Sequence, residues 1–203
     1  MKSHLLTAFL LLFCLAQTGD GGVLFSSLPQ TLVVTASIKQ GQVLIAGEDS
    51  ITLTWGLNQS FVGRTDESYK EVKVKLCYAP ISQVDRKWRK TVNDLSKDKT
   101  CQFIMVNKPY QKLDQSFKWS VEKEVPTGTY FVRAYAYDSA GEEVAYGQNS
   151  DAKKSSNLFE VQGISGRHLS LDVASVCFSA FALVSLIGFF LVENNKKKRS
   201  TDN

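Results

Sequence analysis

The sequence predicts a mainly β protein: an immunoglobulin- or fibronectin-like antiparallel β-sandwich outside the cytoplasm, carried on one C-terminal transmembrane helix. Three observations predict it. Short runs of alternating apolar and polar residues recur between residues 31 and 162, separated by turn-forming residues. Val173 to Val192 are twenty residues without a charge, and a helix of that length spans roughly 30 Å, the thickness of a bilayer's hydrocarbon core. The chain opens with Lys2, an apolar run from Leu5 to Leu15, and small or polar residues from Ala16 to Gly22, the three regions of a signal peptide.

The boundaries follow from these runs. Residues 1–19 are expected to be the signal peptide, with cleavage between 16 and 22, and residues 23–165 the exported domain. The span is 173–192 and the basic tail 193–203. Asp172 and Glu193 close the apolar run, and Lys196, Lys197, Lys198 and Arg199 form a block expected to stay cytoplasmic. Arg167 and His168 on the other flank are too few to outweigh it.

Within the exported domain the strands are read from alternation. Thr31–Ser37 places Leu32 and Val34 on one face. Ile51, Leu53, Trp55 and Leu57 alternate with polar or small residues. Val72, Val74, Leu76 and Tyr78 are expected on a core face, with Lys73, Lys75 and Cys77 on a wet one. Phe117, Trp119 and Val121 repeat the pattern before a turn at Val125–Gly128. Tyr130, Val132, Ala134 and Ala136 then share a face, and Val144–Tyr146 and Asn157–Gln162 complete the set. Pro126 followed by Tyr130 matches the tyrosine corner of such sandwiches. That strand holds no cysteine, so the antibody-type bridge between sheets is excluded.

One segment breaks the alternation. Residues 82–99 place Val84, Trp88, Val92 and Leu95 at helical spacing, with Ser82 and Asp85 as a candidate cap after Pro80, and carry six basic and three acidic residues. A charged helical excursion is expected. Either it is a solvated loop helix with Trp88 tucked into the core, or it is a docking surface, since Trp and Arg anchor interfaces most often. Asp85, Arg86, Trp88, Arg89 and Asp98 are the candidate partner-binding residues. For Asp98 two readings stand: a pair with a partner's basic loop, or an internal pair with Arg89.

Composition limits the chemistry. The formal charge is +4, but Lys2 and the tail supply most of it, and the exported part near neutrality gives no nucleic-acid reading. Cys77 and Cys101 are the cysteines left outside, where one disulfide is the simplest state. A metal or redox pair is the alternative, and neither CxxC spacing nor a nearby histidine supports it. Asn58-Gln59-Ser60 is a glycosylation sequon. No GxSxG, P-loop or HExxH motif occurs, so neither catalysis nor a cofactor is expected. In the span Ser175, Ser179 and Ala182 lie at i, i+4 and i+7. They form either a small-residue face for another helix or serines bonded back to their own helix.

Three runs are specific enough to carry a resemblance: Val72 to Cys101, with Lys-Leu-Cys-Tyr-Ala-Pro-Ile-Ser at its centre; Pro-Thr-Gly-Thr-Tyr-Phe-Val-Arg-Ala-Tyr-Ala at 126–136; and Ile-Ser-Gly-Arg-His at 164–168. Together they resemble the single-span accessory, or activating, proteins of plant high-affinity nitrate transporters, over roughly Thr52 to Val192. The resemblance implies a partner, a proton-coupled nitrate transporter of the major facilitator superfamily in the plasma membrane. It also implies a role in that transporter's activity or delivery, with no small-molecule substrate of its own. A single-span adhesion or ligand-sensing receptor is the alternative reading.

Overall fold

The computed structural model describes residues 22–61, 65–166 and 169–201. The signal-peptide residues, Arg167 and His168 lie outside them. The chain divides into two units, Met1–Ile164 and Ser165–Asn203.

The first unit contains, among the described residues, nine strands: β1 Leu32–Ala36, β2 Val43–Ile45, β3 Ser50–Leu57, β4 Glu71–Tyr78, β5 Phe103–Pro109, β6 Gln115–Ser120, β7 Gly128–Tyr137, β8 Glu143–Gln148 and β9 Phe159–Gln162. They make a three-stranded sheet, β1-β3-β6, and a larger one ordered β2-β9-β7-β4-β5, with β8 also paired to β7. β1 and β6 flank β3 antiparallel, so that Val34 lies opposite Trp55 and Ile51 opposite Trp119. In the larger sheet β4 runs antiparallel to β7, with Val72 opposite Ala136 and Tyr78 opposite Tyr130. Alternate residues point to opposite faces, so these registers bring Leu32, Val34, Ile51, Leu53 and Trp55 into one core with Val72, Val74, Leu76, Tyr130, Val132 and Phe159. The tyrosine corner is present: the Tyr130 hydroxyl donates to the Pro126 carbonyl at 2.6 Å. Burial raises the Tyr130 pKa and keeps that donor protonated.

Two strands were not legible in the alternation. β2 has three residues and pairs parallel to β9. β5 starts two residues after Cys101, and a register shift at Val74/Lys75 breaks its two-residue period. The expected wet face of the large sheet also needs correction. Cys77, Ala79 and Phe131 form a second buried cluster there, and Arg133 is 1% exposed. Lys73 lies 4.2 Å from the Tyr137 ring centre, and Lys75 lies 5.1 Å from that of Tyr135. The N-terminal segment crosses this face: the Arg133 guanidinium stacks on Phe25 at 4.3 Å, and Phe25 packs on Tyr146.

The second unit is a single helix, α1, Leu169–Thr201. It is longer than the expected span because hydropathy marks only the uncharged stretch, whereas Glu193, Lys196 and Lys197 are good helix formers and nothing after Val192 breaks the helix. Residues 169–197 are long and apolar enough to cross a membrane. The Ser179 hydroxyl donates to the Ser175 carbonyl at 2.9 Å, so that donor is satisfied within its own helix.

Candidate functional site

The candidate site is the excursion between β4 and β5. Its neck is closed by the Cys77–Cys101 disulfide and by the Tyr78 N–H donating to the Thr100 carbonyl at 2.8 Å. That closure explains why no α-helix forms. An eighteen-residue helix would carry the chain roughly 27 Å away from its start, whereas the two ends must meet. Instead the segment folds as two short 3-10 turns, Pro80–Gln83 and Lys87–Arg89. Between them Asp85 takes φ +57°, a left-handed turn that rotates the following side chains out of the helical phase.

The cap and the reading that tucks Trp88 into the core are therefore corrected. Ser82 is buried, and its hydroxyl accepts the Thr129 N–H at 2.6 Å. Trp88 points outward at 63% exposure, while its neighbour Arg89 points inward at 6%. The Arg89 guanidinium lies 4.1 Å from the Tyr78 ring centre and donates to the Ser82 and Thr127 carbonyls, each at 3.4 Å. Its Nε is buried with no partner among the described residues, so the aromatic face carries much of the charge's stabilisation. Gly128 lies close beneath it: a Cβ there would stand 3.1 Å from Arg89 Nη1, so a larger residue would crowd the guanidinium.

Asp98 serves the same loop from its other limb. One carboxylate oxygen accepts the Val92 N–H at 3.0 Å, the Thr100 N–H at 3.3 Å and the Thr100 hydroxyl at 2.7 Å. Arg89 and Asp98 thus hold different parts of the excursion rather than each other. Thr91 Oγ donates to Gln83 Oε1, the Gln83 amide donates to the Tyr78 carbonyl, and Gln102 Nε2 ties the Trp88 and Lys99 carbonyls together. The far rim is strapped by the N-terminal segment: Phe25 N–H donates to the Asn93 carbonyl at 2.7 Å and Leu95 N–H to that of Val23 at 2.9 Å.

The run Pro126–Tyr130 is the seat on which the excursion rests, a role the sequence reading missed. Thr127 offers its carbonyl to Arg89 and its hydroxyl to the Gly163 N–H; Thr129 pairs through its carbonyl with Ala79 and through its N–H with Ser82. The seat was present as a motif, but no local signal said what would sit on it. Gly163 belongs to the segment by which the chain leaves the sandwich, so excursion and exit share one end of the domain. Asn58 lies at the opposite end, after β3, and its side-chain oxygen accepts the Ser60 N–H.

Outward on the first limb of the excursion are the run Val84–Trp88 with Ile81 and Lys90; on the second limb Thr91, Asn93, Ser96, Lys97 and Lys99 are exposed. Asp85, Arg86, Lys87 and Lys90, with Gln83, line a concavity of about 390 Å³. Among the described residues no group of three or more His, Cys, Asp or Glu is placed to hold a metal.

The class the fold defines is an Ig-like sandwich, with a basic loop pinned beside its last strand, followed by one helix long and apolar enough to cross a membrane. The chain belongs to the family described as high-affinity nitrate transporter accessory, Ig-like domain, which it matches over residues 25–166. It is 50% identical over 199 residues to high-affinity nitrate transporter 3.2 of Arabidopsis thaliana, spanning 96% of this chain and 95% of the relative. With high-affinity nitrate transporter 3.1 of the same plant it shares 56% over 158 residues, 78% of this chain and 75% of that one. With high-affinity nitrate transporter-activating protein 2.1 of Oryza sativa subsp. japonica it shares 50% over 178 residues, 87% and 84% of the two chains.

Proposed function

We propose that this chain is a non-catalytic accessory subunit that binds, stabilises and activates a high-affinity nitrate transporter. The partner in this reading is a proton-coupled carrier of the major facilitator superfamily, joined as a hetero-oligomer at the plasma membrane. The sandwich lies outside the cell and the basic end of α1 in the cytoplasm. The observation that carries the reading is the family match across the whole Ig-like domain, supported by a relative aligned nearly end to end. A single helix encloses no pathway, so the chain acts on transport through its partner. Binding only the folded, delivered form of the transporter raises that form's population by mass action.

The test is labelled-nitrate uptake in cells expressing the transporter with and without this chain, alongside the surface abundance of the transporter. The expected result is uptake and surface transporter that both rise on co-expression, with the two proteins co-purifying. Unchanged uptake and no co-purification would favour a receptor with some other partner.

A further inference from the structure

The outward rim of the excursion and its buried underside have separate tasks, and we infer that the exposed Ile81, Val84 and Trp88, with the neighbouring cations Arg86, Lys87 and Lys90, dock an acidic loop with an apolar tip on the transporter's exported side. This rests on the accessory reading above.

Four observations carry it. The three apolar side chains are 69%, 63% and 63% exposed, yet they fall within eight residues of a loop held by a disulfide and a buried guanidinium. An ordered segment that keeps its largest apolar groups in water is the arrangement of a contact surface, since folding alone would turn them inward. The bonds that shape the excursion use none of these six side chains, so the surface is set before a partner arrives and little ordering entropy is lost on docking. The charge is one-sided: Lys97 is paired with Asp94 at 2.8 Å, Asp98 faces its own backbone and Arg89 is buried, leaving Arg86, Lys87 and Lys90 against Asp85 at the concavity, with Lys99 exposed on the second limb. Carboxylates complement that charge, and arginine takes them in a two-pronged pair. Finally, Gly163 N–H bonds to Thr127, the residue that also receives Arg89, so the rim sits at the end from which the chain runs on to α1.

A protein loop is favoured over a lipid surface. Segments that lie on membranes are amphipathic helices with a continuous apolar face. This rim runs across two short 3-10 turns with a left-handed residue between them, and Asp85 stands among the cations.

The experiment co-expresses the full chain with its transporter and compares the wild type with Trp88→Ala and with the double variant Lys87→Glu/Lys90→Glu. Secretion, disulfide formation and melting temperature are followed in parallel. Each variant is expected to fold normally and to retain less than one tenth of the co-purified transporter. In a second arm a photo-crosslinking amino acid replaces Val84, or Leu113 at the opposite end of the sandwich. Crosslinks to the transporter from position 84 and not from 113 support the surface. Full co-purification by both folded variants, crosslinking only from 113, or crosslinks from 84 to lipid would overturn it. If the wild-type chain fails to co-purify at all, the accessory reading itself falls with it.

Discussion

Trp88 and Arg89 are neighbours in the chain, and they answer to different physics. Arg89 carries a permanent charge and is buried, because Tyr78, two carbonyls and the space left by Gly128 receive it. Trp88 is large and apolar and stands in solvent. Ranking by hydrophobicity inverts the observed arrangement. The inner face of the excursion is specified by hydrogen-bond and aromatic partners that hold its shape, and the outer face by what the loop leaves free. Substitutions on the two faces should therefore separate stability from partner binding.

The largest effect belongs to the neck. Cys77→Ser or Cys101→Ser removes the link that closes the excursion, which contributes about 3 kcal/mol for a loop of this length. The expected outcome is retention in the secretory pathway and a lower melting temperature, read by surface abundance and calorimetry. Arg89→Ala comes next, with about 2 kcal/mol lost as Tyr78 and the two carbonyls lose their cation. Arg89→Lys should not restore it, because an ammonium cannot reach both carbonyls as a planar fork does. Denaturant unfolding of both variants checks this. If Arg89→Ala keeps full stability and loses the transporter, the inner face is itself the contact and the comparison breaks.

Asp98→Ala should destabilise by about 1–2 kcal/mol, since the Val92 and Thr100 donors lose their acceptor. Asp98→Asn keeps one oxygen and should lose less. A thermal shift of similar size for both would mean that the charge, not the acceptor, is what matters. Trp88→Ala should change stability by less than about 0.5 kcal/mol, which separates the two neighbours on one instrument.

The smallest effect is a pH dependence on the large sheet's outer face. Burial lowers the Lys75 pKa below its usual 10.5, with Glu143 opposing the shift. A lysine whose folded pKa is lowered disfavours the folded state while both states are charged, and the penalty fades as pH rises through the folded value towards 10.5. Lys75→Met should therefore raise the melting temperature at neutral pH, with the gain shrinking as the pH approaches the usual lysine value of 10.5. A gain that does not change with pH would assign it to packing instead.

Much of the fold was written locally. Strands with a clean two-residue period, such as β3 and β4, were legible, as was the tyrosine corner, because alternation and turn chemistry are properties of a few adjacent residues. β2 and β5 were not, being short in one case and bulged in the other. For the excursion, composition and charge marked the segment, and helical spacing misdirected its conformation. The expected disulfide already demanded that the chain return to its start, a constraint that outweighs four residues at helical spacing.

The sequence by itself determined the class of molecule: a helix able to cross a membrane set by twenty uncharged residues, a sandwich set by alternation, a loop closed by Cys77 and Cys101, and the motifs by which the family is known. Tertiary structure alone decided which side of that loop faces outward. Arg89 and Asp98 stand alike in the sequence as charged residues of one loop, and the fold brings Thr127, Gly128 and Tyr78 beneath the first and Val92 and Thr100 around the second. The reason is range. Alternation and hydropathy act between near neighbours, whereas a buried charge is satisfied by groups nearly forty positions away in the chain, and no local pattern records which of them will arrive.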